Sequence, residues 1–196
     1  MEFWQRLERH LEEQRRAVPG GPQGWRPERL ILRDWWHWRD QEFGFAHGRL
    51  ALTGQNAGGK SSLLALAIPV LLDGRTEPAR LDPAQSRDRF LHYYLLGADG
   101  AEAGNPDVFR YEARTGYIAL EFYHTADQRF LTIGMGVSAS RSSPRRITDW
   151  WGFLLVKGQR LGRDFDVRGA DGTCLGRREF ARLVGDGGIV VTEKAE

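Results

Sequence analysis

The amino-acid sequence predicts an α/β fold in which a strand, a glycine-rich loop and a helix follow one another, with an antiparallel β subdomain after them. Three observations support this expectation. Residues 54–61 fit the spacing G-x-x-x-x-G-K-S, and a long apolar run follows them as far as Asp73. Segments that alternate apolar and polar residues then recur from position 115 onward, as strands with one buried face do.

The loop between Gly54 and Ser62 matches the P-loop, which wraps nucleotide phosphates in backbone N–H groups. Side chains at the glycine positions would obstruct that close approach. We expect Lys60 to contact the β- and γ-phosphates, as the candidate catalytic residue, and the Ser61 hydroxyl to ligate Mg²⁺. The predicted nucleotide-binding residues of the loop are Gly54, Gln55, Asn56, Ala57, Gly58, Gly59, Lys60, Ser61 and Ser62.

The residues on either side of the loop fit the same interpretation. Residues 49–53 place Leu50 and Leu52 on one face, which is typical of a short buried strand. Residues 60–72 carry almost no charge beyond Lys60, as expected of a helix under a sheet. The alternative is a glycine-rich turn with an incidental lysine. Only three of the chain's 28 Lys and Arg residues are lysines, which argues against that alternative.

Length and composition limit the classes of function. A chain of 196 residues can bury one core with an appendage, and a net charge of +2 creates no global attraction to nucleic acid or membrane. Cys174 is the single cysteine, so an internal disulfide is excluded. The N-terminus is charged from Glu2 onward, and no apolar run approaches the ~20 residues of a membrane span. We therefore expect a cytoplasmic protein with no membrane partner.

Two segments are predicted from these patterns: an N-terminal amphipathic helix with a linker over residues 1–24, and a main lobe over residues 25–196. Four apolar side chains of the first segment recur at helical spacing, namely Phe3, Trp4, Leu7 and Leu11. Pro19–Gly24 then ends the helix. Either the helix docks on a partner subunit, or it packs on its own domain or frays in solvent.

Aromatic residues are concentrated between Trp25 and Phe45, where the pattern predicts two strands with a turn at Arg39–Glu42. An aromatic side chain next to a P-loop can stack on the base, and Trp36 or Trp38 is the candidate. Arg39 is the candidate for an additional phosphate contact. The alternative is that these aromatic residues belong to the core.

Downstream of the loop, the predicted structure is mostly antiparallel strands. A polar stretch carries four arginines that face either a phosphate or solvent: Arg75, Arg80, Arg87 and Arg89. Phe90–Leu96 is predicted to be helical, and Thr115–Tyr123 is predicted to form a hairpin with Phe130–Val137. Further strands are predicted at residues 150–156, 163–167 and 188–192, and a helix at residues 176–184. The basic segment Arg141–Arg146 binds phosphate or is simply a loop tip.

The stretch Leu-Thr-Gly-Gln-Asn-Ala-Gly-Gly-Lys-Ser-Ser-Leu-Leu, preceded by an aromatic hairpin and followed by antiparallel strands, resembles the N-terminal half of an ABC-type ATPase head of the SMC and MukB-like class. The run Pro-Val-Leu-Leu-Asp-Gly at positions 69–74 is most similar to the condensin-like ATPase subunit of bacterial Wadjet plasmid-defence systems. The resemblance covers residues 29–130.

The resemblance implies a P-loop NTPase fold that binds ATP and Mg²⁺ and acts on DNA in condensation, loop extrusion or anti-plasmid defence, in association with the nucleoid. It also implies several partners: a C-terminal half-head from the same or a second chain, a second head that closes over the γ-phosphate, and kleisin-like or accessory subunits. The Walker B acids and the signature loop of that family do not occur before Glu196. The chain is therefore expected to be a half-head.

Two other functions remain open at the level of the sequence. The first is a self-contained P-loop kinase or small-molecule phosphotransferase, for which residues 75–89 would supply an arginine-rich lid. The alternating strands after residue 115 argue against it, because such kinases alternate strand and helix. The second is a binding module that holds ATP as a structural ligand.

Overall fold

The computed structural model of the chain describes residues 24–56, 58–72, 76, 77, 81, 90–97 and 109–191. Within these ranges the strands are β1 (Trp25–Trp35), β2 (Trp38–Gly44), β3 (Ala113–His124), β4 (Arg129–Ser140), β5 (Ile147–Leu155) and β6 (Gly188–Val191). The helices are α1 (Lys60–Leu72), α2 (Leu91–Leu96) and α3 (Arg177–Val184), and a 3₁₀ turn follows α3 at Gly185–Gly187. None of these helices is long and apolar enough to cross a membrane.

The predicted α/β P-loop NTPase fold is wrong. The six strands form one sheet in the order β2-β1-β3-β4-β5-β6, and every neighbouring pair is antiparallel. About 45% of the structure is strand and 20% is helix. The difference arises before the glycine-rich loop. Residues 49–53, predicted as the strand that leads into the loop, do not belong to the sheet, so no strand–loop–helix unit forms there.

Several of the predicted elements are confirmed individually. Strands β3 and β4 form the expected hairpin, with Tyr117 opposite Gly136 and His124 opposite Arg129. Strands β5 and β6 and helices α2 and α3 also lie within a few residues of their predicted positions. In each of these elements, the spacing of the apolar residues and the turn residues at the ends predict the same secondary structure.

Two local predictions are wrong. The first hairpin turns at residues 36 and 37, with Trp35 opposite Trp38, and residues 39–42 belong to β2. Residues 163–167 form a loop with isolated bridges rather than a strand, including one between Leu161 and Phe165. The N-terminal segment 1–23 and the arginines at 75, 80, 87 and 89 lie outside the described residues.

The sheet separates two hydrophobic clusters, because successive side chains of a strand point to opposite faces. Helices α1 and α2 pack on one face, here called the helix face, against side chains such as Leu32, Ile118 and Met135. Helix α3 and the segment 156–175 cover the other face, here called the loop face. Its buried residues include Ile31, Tyr117, Trp151, Phe153 and Phe180.

Candidate functional site

The glycine-rich loop leads directly into α1, as the motif predicts. Gly54 has φ +148° and Gly59 has φ +81°, a range that L side chains rarely adopt. The Gly58 amide donates to the Gln55 carbonyl at 3.2 Å, which closes the turn. The Leu63 amide donates to the Gly59 carbonyl at 2.9 Å, so the hydrogen-bonding pattern of the helix begins at Gly59. The glycines therefore shape the turn that starts the helix.

Lys60, the first residue of α1, folds its ammonium back over the loop. Its Nζ donates to the Gly54 carbonyl at 2.8 Å and to the Gln55 carbonyl at 2.5 Å. A nucleotide phosphate would have to replace these two carbonyls as acceptors, and a phosphate oxygen is the stronger, charge-assisted acceptor. The ammonium is thus held beside the position where the loop would receive an anion.

The start of α1 also offers backbone donors. Among the described residues, no backbone carbonyl accepts from the amides of Gly59, Lys60, Ser61 or Ser62. The first turn of any helix leaves its N–H groups unpaired, and the helix dipole adds a positive potential there. The first turn of α1 contains no acidic residue that would cap these amides. An anion is the partner that such a helix start favours.

A cavity of about 660 Å³ lies against this helix start. Its described lining comes from the loop and from the tip of the first hairpin: Trp36, His37, Trp38, Asn56, Gly58, Gly59, Lys60, Ser61 and Ser62. The volume is in the range of pockets that hold small ligands and cofactors. The structure thus brings the predicted phosphate loop and the two candidate base-stacking tryptophans to one cavity.

The tip of the first hairpin contacts both helix α2 and the loop. Trp36 has φ +48°, its amide donates to the Tyr94 carbonyl at 2.7 Å, and its ring lies 5.3 Å from that of Tyr93. The Trp38 ring lies on Gly59 so closely that a Cβ at this glycine would be 2.9 Å from the ring. Gly59 is therefore required twice, for its backbone conformation and for the approach of Trp38.

Not every predicted site residue reaches this cavity. Arg39 lines a separate cavity on the other side of the hairpin tip, and His37 lines both. Ala57 lies outside the described residues. His37 is not among the residues predicted from the sequence, because a single histidine in an aromatic stretch gives no signal of its own. The roles of Trp36, Trp38 and Arg39 in nucleotide binding remain predictions.

The described lining of the loop cavity contains no carboxylate. In the part of the chain that the structure describes, no group of three or more His, Cys, Asp or Glu side chains is placed to hold a metal ion. The role of the Ser61 hydroxyl as a Mg²⁺ ligand remains a prediction. Hydrolysis would need acidic side chains, which the described lining of the loop cavity lacks.

The segment before the loop differs from the prediction. Residues 50–53 form no strand, and no backbone hydrogen bond joins them to other described residues. An apolar groove of about 370 Å³ lies beside them, between Leu50, Leu52 and helix α1. Leu64 of that helix is 46% exposed. The backbone next to the phosphate loop therefore has donors and acceptors available to another strand.

Comparison with known proteins gives no assignment. No protein-family model matches the chain, and no curated protein matches it.

Proposed function

We propose that the loop Gly54–Ser62 binds the phosphates of ATP together with Mg²⁺. The observation that carries this proposal is the convergence of unpaired helix-start amides, the Lys60 ammonium and two tryptophans on one cavity. The proposal rests on the loop and not on the fold, since the sheet is antiparallel throughout.

Each residue of the loop has a distinct role in this proposal. Lys60 exchanges the Gly54 and Gln55 carbonyls for oxygens of the β- and γ-phosphates. The amides at the start of α1 surround the phosphates, and the Ser61 hydroxyl ligates Mg²⁺. Trp36 or Trp38 stacks on the base.

Turnover requires residues beyond the loop cavity. No carboxylate lines this cavity among the described residues, so the acids that orient water must be brought to it. The unpaired backbone of residues 50–53 and the adjacent apolar groove are suited to receive a strand that carries them. We therefore propose that the chain is the ATP-binding part of a machine of the SMC and MukB-like class that acts on DNA. The support for that class is the resemblance of residues 29–130.

ATP binding by the wild-type chain and by Lys60→Ala tests the proposal. Calorimetric titration with ATP and Mg²⁺ is expected to show binding by the wild type and none by Lys60→Ala. Lys157→Ala, which removes an exposed lysine with the same charge change, is the matched control and should bind like the wild type. Equal affinity of Lys60→Ala and the wild type would show that the site is wrongly assigned.

A turnover assay on the same samples separates the proposal from its main alternative. The chain alone is expected to release no phosphate from ATP above the buffer rate. Sustained turnover that Lys60→Ala abolishes would instead favour a self-contained phosphotransferase.

A further inference from the structure

A second cavity, of about 550 Å³, lies on the other side of the first hairpin tip from the phosphate loop. It is bordered by the end of β1, the start of β3, the end of β4 and the turn at residues 168–174. His37 is the described residue that it shares with the loop cavity. The proposed ATP site does not use this cavity.

The described lining of this cavity has an excess of positive charge. Three guanidinium groups line it, those of Arg39, Arg114 and Arg168, together with one carboxylate, that of Asp34. Arg114 Nη2 lies 3.2 Å from Asp34 Oδ1, and Arg168 Nη1 lies 3.0 Å from Asp34 Oδ2. Burial alone would raise the pKa of Asp34, but these two arginines hold it below its usual range. One carboxylate is thus shared between two cations.

Arg168 lines the cavity, but most of its hydrogen-bond donors are already used within the chain. Besides Asp34, its guanidinium donates to Asp40 Oδ1 at 3.0 Å, to the Arg39 carbonyl at 2.7 Å and to the Gly172 carbonyl at 2.9 Å. These bonds fix the hairpin to the turn at residues 168–174. Arg168 therefore shapes the site, and an anion must be bound by other donors.

Arg114 and Arg39 supply those donors. Arg114 is oriented by the Trp36 carbonyl at 2.9 Å and lies over the Tyr111 ring at 4.1 Å, while its Nε has no acceptor among the described residues. Arg39 is exposed, and its guanidinium has no ion pair or hydrogen bond within the described ranges. Its Nη2 lies next to Gly172, 3.4 Å from where a Cβ would stand.

Hydroxyl groups complete the lining. Thr115 Oγ1 and Ser138 Oγ are 2.8 Å apart, and Ser140 Oγ lies 2.9 Å from Ser142 Oγ. Thr148 is an extra residue in β5, because Ser138 is paired with Asp149 and Ala139 with Ile147. Such a β-bulge re-aims a side chain, and the exposed Thr148 side chain lines this cavity.

Guanidinium and hydroxyl donors around a cavity with little free negative charge favour a tetrahedral oxyanion. The other carboxylates nearby have partners of their own: Asp40 with Arg33 and Arg168, Asp149 with Arg177, Glu112 with Arg141, and Asp171 with Thr173. We infer that this cavity is a second phosphate-binding site, in which Arg39 and Arg114 contact the phosphate and the hydroxyls of Thr148 and Ser138 orient it. The phosphate is either free or part of a nucleic-acid backbone.

The test uses the 196-residue chain carrying Lys60→Ala, so that the phosphate loop does not contribute. Inorganic phosphate is titrated while ¹H–¹⁵N resonances of Ala139, Ser140, Thr148 and the Arg39 side chain are followed. We expect saturable shifts at these positions. Adding Arg39→Ala should weaken binding at least about tenfold, the loss typical of one charged hydrogen-bond donor. The matched control is Arg182→Ala, another exposed arginine with no ion pair among the described residues, which should leave the titration unchanged.

Two results would overturn the inference: no saturable shift with phosphate, or the same titration for Arg39→Ala and Arg182→Ala. Neither result depends on whether the loop binds ATP. A second titration with a short DNA duplex identifies the source of the phosphate. If it is a DNA backbone, Arg39→Ala lowers the slope of log affinity against log salt by about 1. If the phosphate is free, the slope is the same in both arginine variants.

Discussion

The two faces of the sheet are stabilised in different ways. On the loop face, Glu121 is fully buried and accepts two bidentate pairs, from Arg29 at 2.6 and 2.8 Å and from Arg160 at 2.9 and 3.0 Å. Arg160 in turn lies over the Phe130 ring at 3.8 Å. The segment 156–175 is thereby fixed to the sheet. This face is closed by polar and aromatic contacts within the chain.

The helix face is more open at the end of the sheet away from α1. One cross-strand row on this face runs through Leu30, Leu120, Ile133, Leu154 and Ile189. Leu30 is buried beneath α1, whereas Ile189 at the far end of the row is 52% exposed. We therefore expect the loop face, whose covering segment is anchored by buried ion pairs, to be the more rigid of the two faces. Three predictions test that contrast.

The largest expected effect comes from breaking the buried ion pairs. Glu121→Ala leaves the buried Arg29 guanidinium without its main partner and should lower the free energy of unfolding by about 3–5 kcal/mol. Urea denaturation measures this change. Glu112→Ala, which removes the exposed partner of Arg141, should cost less than about 1 kcal/mol. Similar losses for both variants would contradict the assignment of the loop face as the rigid one.

A smaller effect should separate two glycines that lie on opposite faces. A Cβ at Gly136 would collide with the indole of the buried Trp151 on the loop face. Gly136→Ala should therefore destabilise the fold by about 1–3 kcal/mol. A Cβ at Gly152, on the helix face, would meet nothing closer than the Val191 carbonyl at 4.0 Å. Gly152→Ala should be nearly neutral, and equal destabilisation in thermal unfolding would show that the two faces are packed alike.

The mildest test is the pH dependence of stability. Burial raises the pKa of Glu121, but the hydrogen bonds and charges of Arg29 and Arg160 outweigh it and hold the pKa below the ordinary value of 4.5. The stabilisation is therefore complete above that value and is lost as the pH falls below it. Glu121→Gln does not titrate, so its unfolding free energy should fall less steeply on acidification. The stability of Glu121→Gln should still depend on pH to some extent, because the pKa values of Glu42 and Asp34 are also lowered by arginine partners. Parallel curves for the two proteins would contradict this account.

Elements that depend on local interactions could be predicted from the sequence, whereas those that depend on contacts between distant residues could not. Strands β3 and β4 could be predicted because alternation and a four-residue turn are local signals. The turn at Trp36 could not, because no turn residue marks it and the contacts that hold it come from Tyr93 and Tyr94 in α2. Contacts with α2 therefore place the turn at residues 36 and 37, although the local sequence favours a turn at residues 39–42.

The candidate sites show the same limit. The candidate phosphate loop is a contiguous motif, so the sequence alone could suggest it. The second cavity depends on Asp34, Arg114 and Arg168. The two arginines lie 80 and 134 positions after the aspartate, and the three residues meet only in the folded chain. The predicted α/β fold class was wrong because the motif predicted a strand at residues 49–53 leading into the loop, whereas these residues lie outside the sheet and all six strands of the sheet are antiparallel.

The most direct test of the central claim is to follow the backbone amide resonances of Gly58–Ser62 as ATP and Mg²⁺ are added. If the loop holds the phosphates, these amides should shift in a saturable way in the wild type, and the shifts should be absent in Lys60→Ala. Shifts confined to other parts of the chain, or the same loop shifts in both proteins, would contradict the claim.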